Sequence, residues 1–212
     1  MTDLSTYGKL TEVYNGMEAG VNFRFGRGGV LNGGVSTGKT VVNKCFVVDS
    51  PQQLYQCEIP VRDNPWGTDY PSTQVKINGV YPLPWDLQVS ATYQNLQGIP
   101  ILADLVYTNA QIAPSLGRNL GACRGAATCN ATATVSLIEP GTEFEGRYNQ
   151  LDLRLTKTIR LGQMRLQGMA DAYNVLNAST IVGRVNAYGP RWGRPTNVQL
   201  GRIVKFGAQL DW

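Results

Sequence analysis

Apolar and polar residues alternate one by one along much of this chain, most strictly in its last nine residues, Val204 to Trp212. Successive side chains of a strand point to opposite faces. Val204, Phe206, Ala208, Leu210 and Trp212 therefore share one face, and Lys205, Gly207, Gln209 and Asp211 the other. The same period predicts six earlier strands: Leu10 to Phe25, Val30 to Thr40, Thr73 to Tyr81, Asp86 to Asn95, Tyr148 to Ile159 and Met164 to Leu176. The seventh is expected to begin near Asn197. In the first, Val13, Met17, Ala19, Val21, Phe23 and Phe25 oppose Tyr14, Glu18, Asn22 and Arg24. Lys157 breaks the apolar face of the fifth, where a long stem near a strand end can snorkel its charge to an interface.

The connections alternate in length. Short turns are predicted at 26–29, 82–85 and 160–163, from glycines that supply positive φ and prolines that leave a sheet interior. Long polar stretches fill roughly 41–72, 96–147 and 177–196. Structureless connections of that length are foreign to a compact soluble domain. Outer-membrane barrels have them, with short periplasmic turns, long extracellular loops and strands of ~9–11 residues, apolar outside and polar inside. The expected fold is thus all-β: an antiparallel, up-and-down transmembrane β-barrel segment of about seven strands. The last strand would descend, putting Trp212 at the periplasmic rim with Phe25, Tyr81 and Trp85 as an aromatic girdle.

Composition narrows the classes. The 212 residues are 16% charged, with 24 Gly, 10 Tyr, 4 Trp and no His. No stretch approaches ~18 uninterrupted apolar residues, so a transmembrane helix is excluded. Without His, a zinc site, a His general base and a catalytic triad lose their usual residue; no metal site, cofactor or enzymatic activity is expected. The net charge of +4 is scattered, and no basic block points to nucleic acid. Four cysteines form two local pairs, Cys45 with Cys57 and Cys123 with Cys129, both in long loops. Without C-x-x-C spacing they suggest loop-closing disulfides in an oxidising compartment. The N-terminus has no apolar core of a signal peptide, which conflicts with export unless the chain is part of a longer one.

Two short motifs have weaker claims. Gly33-x4-Gly38-Lys39-Thr40 fits the phosphate-binding loop letter for letter, but that loop must open a helix. The residues after it, Val41 to Val48, are rich in β-branched side chains that disfavour one, so the match reads as coincidence in a Gly-rich hairpin. Asn130-Ala-Thr and Asn177-Ala-Ser match the glycosylation acceptor, a pattern too short to weigh.

Several strings resemble the C-terminal end of a TonB-dependent outer-membrane receptor, most of all the Oar-like receptors. They are R-Y-N-Q-L-D-L-R-L-T-K-T from Arg147, D-A-Y-N-V-L-N-A-S from Asp171 and R-P-T-N-V-Q-L-G-R-I-V-K-F-G from Arg194. Y-N-G-M-E from Tyr14 and L-N-G-G-V-S-T-G-K-T from Leu31 look like earlier hairpins of that family. The resemblance implies a barrel of ~22 strands around a plug, importing a scarce ligand with energy relayed by TonB. Residues 1–212 would then be the C-terminal part of that barrel, with plug, TonB-contacting segment and signal peptide absent. Implied partners are outer-membrane lipid and lipopolysaccharide, the TonB complex through the missing N-terminal part, and an unidentified ligand; the location is the bacterial outer membrane.

Candidate lumen-lining or ligand-binding residues are Arg24, Asp152, Arg154, Arg165, Asp171, Arg191, Trp192 and Arg194. Glu18, Lys76 and Lys205 share the polar face. Arg184 and Arg202 join Arg191 and Arg194 as groups able to meet lipopolysaccharide phosphate or an anionic ligand. The alternatives are a secreted, disulfide-stapled β-sandwich adhesin or glycan-binding module, and a small passive porin assembled from several copies.

Overall fold

A computed structural model of the chain describes residues 11–43, 58–59, 72–139 and 141–212. In chain order its elements are β1 (Thr11–Arg24), β2 (Val30–Asn43), β3 (Glu58–Ile59), β4 (Gln74–Leu83), β5 (Leu87–Leu96), β6 (Asp104–Thr108) and α1 (Asn109–Leu116). Then come β7 (Thr132–Ser136), β8 (Tyr148–Leu161), β9 (Met164–Tyr173), β10 (Ile181–Arg184), β11 (Pro195–Val198) and β12 (Ile203–Asp211). Seven of these make an antiparallel meander in the order β1-β2-β4-β5-β8-β9-β12, with β3 added to the loop end of β2. Two small hairpins, β6–β7 and β10–β11, stand apart from it.

The pairing register carries the alternation from strand to strand without a slip. Phe23 lies level with Leu31, Gly79, Ala91, Leu153, Ala172 and Val204. One step along, Arg24 lies level with Val30, Val80, Ser90, Arg154, Asp171 and Lys205. Because a shift of one residue would exchange the faces, the sheet has one apolar and one largely polar side across all seven strands. Nothing among the described residues covers the apolar side. Val21 is 61% exposed and Phe206 79%, while the buried apolar side chains among the described residues are Ala103, Cys123 and Ala133, all in the connection between β5 and β8.

The apolar run is shortest in β2, five residues from Leu31 to Val35, and in β5, seven from Leu87 to Tyr93, and longer elsewhere. It spans nine residues from Met17 in β1 to Phe25 just beyond it, nine in β4 (Val75 to Leu83), eleven in β8 (Leu151 to Leu161), nine in β9 (Met164 to Ala172) and nine from Val204 to Trp212. Polar pairs bound it on the side of the long connections, Asn15 with Lys39 and Asn95 with Asn149. The run is also slanted. From the level of Arg24, where β1 ends, β12 continues six residues past Lys205 to Asp211, six strands away. In β8, four strands away, Leu161 is seven residues past Arg154. At ~3.3 Å per residue and ~4.8 Å between strands, these offsets tilt the strands by about 35–50°, around the roughly 35–45° of membrane barrels.

Local chemistry explains where the boundaries depart from expectation. Pro82 lies in β4 opposite Gln88, beyond Val80, the last residue that β4 pairs with β2; with no strand on that side, its missing N–H costs little. The turn is Pro84 to Asp86, with Trp85 and Asp86 left-handed at φ 63° and 53°. Arg160 belongs to β8, and the hairpin closes in two residues through Gly162 at φ 66°. β9 stops at Tyr173 rather than Leu176, since Asn174 turns left-handed at φ 48°. Asn197 pairs with Gly183 in the β10–β11 hairpin, so the last strand begins only at Ile203.

The long connections are not structureless. That between β5 and β8 holds β6, α1 and β7. Thr108 caps α1 through Gln111 Oε1, which accepts from the Thr108 amide at 2.8 Å, and Gly117 at φ 69° ends it. Cys123 and Cys129 are disulfide-bonded, as the spacing predicts. Cys45 and Cys57, Leu10 at the head of the expected first strand and most of 41–72 lie outside the described residues. The Gly33-to-Thr40 motif is strand throughout, and Gly38 leaves room for the Tyr14 ring that lies across it and Gly16. A helix N-terminus for phosphate is therefore absent there.

Candidate functional site

Two regions gather the side chains able to meet a ligand: the polar face of the sheet and the platform of long connections above it. On the polar face, β8 and β9 bring Arg154 and Asp171 into direct register. Arg154 Nε donates to Asp171 Oδ1 at 2.5 Å and Nη2 to Oδ2 at 3.1 Å, the forked geometry that guanidinium and carboxylate share. The Asp171 side chain is 6% exposed and that of Arg154 46%, so the pair presents its cationic half. Arg24 and Lys205 lie at the same level, on the first and last strands of the sheet. Arg165 sits at the short-turn end, opposite Arg160 on one side and Asp211 on the other.

Asp152 has a different task. Its Oδ1 accepts the Asn174 amide at 2.8 Å, and Gln150 Nε2 donates to both its oxygens at 2.9 and 2.8 Å. Asn174 is 3% exposed and donates to the Ala178 and Leu200 carbonyls at 2.9 and 2.7 Å, while its Oδ1 accepts the Ala178 amide at 3.0 Å. Asn177 Oδ1 accepts the Arg202 amide at 3.1 Å. The D-A-Y-N-V-L-N-A-S string is thus a knot tying the top of β9 to the start of β12. Arg147 does the same at the top of β8: Nε donates to Asn95 Oδ1 at 2.7 Å and Nη2 to the Thr73 carbonyl.

Above the sheet, the β9–β12 connection is seated on the β5–β8 connection. The Asp104 amide donates to the Asn186 carbonyl at 2.9 Å, and its carbonyl accepts from Tyr188 at 2.8 Å. Arg184 Nη1 meets Glu145 Oε1 at 2.5 Å, with side chains 10% and 17% exposed. The Arg184 guanidinium lies 5.6 Å from the Trp192 ring centroid, within cation–π range. Trp192 Nε1 donates to the Leu102 carbonyl at 2.9 Å, and the Tyr188 ring is 5.9 Å away. Arg191 and Arg194 are exposed beside it. Arg184, expected among the ligand-facing arginines, is instead committed to Glu145.

The aromatic positions gather at the short-turn end. Phe25 meets Tyr81 edge-on at 6.2 Å and Phe23 at 4.7 Å. Trp85 is 80% and Trp212 94% exposed. Lys157 resolves its misplaced charge by donating to the Trp85 carbonyl in the neighbouring turn. Among the described residues, no cluster of carboxylates and thiols could hold a metal ion, and no helix is long and apolar enough to cross a membrane.

Sequence reasoning named Arg154 and Asp171 separately, and the two-residue period alone places them on one face without pairing them. It missed Glu145 and Tyr188, which lie where no period operates. A scan against protein-family models gives no match for this chain, and a comparison with curated proteins gives none either.

Proposed function

We propose that this chain is a wall segment of an outer-membrane transport barrel, the C-terminal part of a TonB-dependent, Oar-like receptor that imports a scarce ligand across the bacterial outer membrane. The observation that carries the reading is the uncovered apolar band, nine to eleven residues long on five of the seven strands and slanted by about 35–50°. Hydrocarbon is the medium such a band suits: ~9–11 tilted residues cross its thickness, and every backbone group between neighbouring strands is paired. A β-sandwich would need a second sheet against Val21, Leu155 and Phe206, and the described residues supply none.

Strand parity bears on the barrel's completion. With seven strands alternating in direction, β1 and β12 run the same way. Joining them, within one chain or between copies, would make a parallel seam in an architecture that is antiparallel. An odd number of further strands is required, which ~22 strands in all would satisfy and a porin made of several copies would not. The role is transport rather than catalysis, with lipid and lipopolysaccharide outside and the TonB complex engaged through the part beyond this segment.

The test is detergent dependence. The purified 212-residue chain should remain dispersed only in micelles or bilayers and should give no ligand-specific uptake by itself. A freely water-soluble, compact monomer would overturn the reading.

A further inference from the structure

The tip of the β9–β12 connection, Ala187 to Arg194, combines rigidity, aromatic surface and uncompensated positive charge. Its turn is closed by backbone bonds from Trp192 to Gly189 at 2.9 Å, from Gly193 to Val185 at 3.0 Å and from Val185 to Arg194 at 3.0 Å. Gly193 takes φ 78°, and a Cβ there would come within 2.7 Å of Arg184 Nη2. Glycine is therefore required for the guanidinium to reach its place beneath the indole. That buried cation and the Leu102 carbonyl fix the Trp192 ring from one face and from its polar edge. Tyr188, 53% exposed, extends the surface at a 51° tilt. Arg191 and Arg194 have no side-chain partner among the described residues. Of the carboxylates that reach this platform, Glu145 is bound to Arg184 and Asp104 Oδ1 accepts from the Ser136 hydroxyl at 3.2 Å.

We infer that this tip is a binding site for an acidic saccharide: sugar rings resting on Trp192 and Tyr188, with their carboxylates or phosphates held by Arg191 and Arg194. Rigid aromatic side chains give contact area at low entropic cost. Free guanidinium groups favour planar anions through forked, charge-assisted hydrogen bonds. The inference deepens the transport reading by naming a ligand class for the outer platform. The same chemistry is offered by a soluble acidic glycan and by the sugar-phosphate core of lipopolysaccharide.

The experiment is calorimetric titration of the full 212-residue chain in micelles with hexagalacturonate, with maltohexaose as its neutral counterpart. Hexagalacturonate should bind. The Arg191→Gln/Arg194→Gln variant should bind it at least about tenfold more weakly, the loss expected for one charge-assisted bond. Both residues are exposed, and unchanged amide protection at Tyr188 in the variant shows that the fold is kept. Trp192→Ala should weaken binding further, and Arg118→Gln, on the other connection, should change nothing. Competition by lipopolysaccharide micelles would assign the site to the cell's own glycan, and failure to compete to a soluble one. Equal binding of maltohexaose, no binding of either acidic probe, or indifference to the double variant would overturn the inference. A water-soluble chain that still binds would sustain it while ending the membrane reading; a membrane-inserted chain that binds neither acidic probe would do the reverse.

Discussion

Leu155 offers the sharpest physical contrast, because lipid and water make opposite demands on it. It lies near the middle of the eleven-residue apolar run of β8, is 44% exposed, and is flanked by Val89 and Ala170. If the band faces hydrocarbon, Leu155→Arg puts a cation near the bilayer midplane and costs about 2–4 kcal/mol. If it faces water, an exposed sheet position tolerates the change within about 0.5 kcal/mol. Depth supplies an internal scale. Leu161 is six residues further along β8, about 20 Å at 3.3 Å per residue. A tilt of about 35–50° turns that into about 13–16 Å of depth, close to half of a ~30 Å hydrocarbon core. Leu161→Arg should therefore cost no more than about 1 kcal/mol, as at an interface. Thr156→Arg, one residue from Leu155 but on the polar face, should be nearly neutral. Urea titration of the chain reconstituted in lipid vesicles, followed by tryptophan fluorescence, reads all three. Equal costs at 155 and 156, or no gradient from 155 to 161, would refute the lipid-facing assignment.

Four further outcomes follow from single contacts. Gly38→Val should destabilise the β1–β2 hairpin by about 1–3 kcal/mol by displacing the Tyr14 ring, seen as a lowered urea midpoint. Asn174→Ala removes three hydrogen bonds at a left-handed position; about 2–4 kcal/mol should be lost, with faster amide exchange from Ala178 to Leu200. Asp171→Asn breaks the forked pair and leaves Arg154 without its counter-charge, and a lowered midpoint is expected in the same titration. Replacing Cys123 and Cys129 together by Ser opens a short loop, worth roughly 2 kcal/mol; exchange should quicken between Ala103 and Ser136 while β8 and β9 keep their protection.

The sheet was legible in the sequence because its determinant is local. A period of two assigns Val21, Leu155 and Phe206 to one face and Arg154 and Asp171 to the other, whatever their neighbours. Turn positions followed from Gly162 and from the Pro82–Trp85 run, with errors of a few residues where Pro82 entered β4. The platform was not legible, since its contacts join residues far apart that share no period. Arg184 finds Glu145 across 39 residues and Trp192 finds Leu102 across 90. A polar stretch such as 96–147 therefore looked empty although it holds two strands, an α-helix and a 3-10 turn. The D-A-Y-N-V-L-N-A-S string stood out as distinctive without disclosing why. Its reason is geometric: only a left-handed Asn174 brings Asp152, Ala178 and Leu200 to one point.

The placement of the few buried apolar residues follows from what each part of the molecule can use as solvent. On the proposed membrane reading, a strand facing hydrocarbon gains nothing by turning its leucines inward, so the seven strands of the meander keep theirs outside and rest on ladder pairing and lipid. The platform has a small interior of its own, where Ala103, Cys123 and Ala133 are buried. That interior is too small to hold such long connections by burial alone, at ~25 cal/mol per Å² of apolar surface. A disulfide, the Arg184–Glu145 pair and backbone bonds through Asp104 take up the difference. The result is a sheet whose exterior is interchangeable among apolar side chains and a platform whose contacts are individually specified. The inferred saccharide site lies on the second, where a single substitution changes a defined surface without disturbing the wall beneath it.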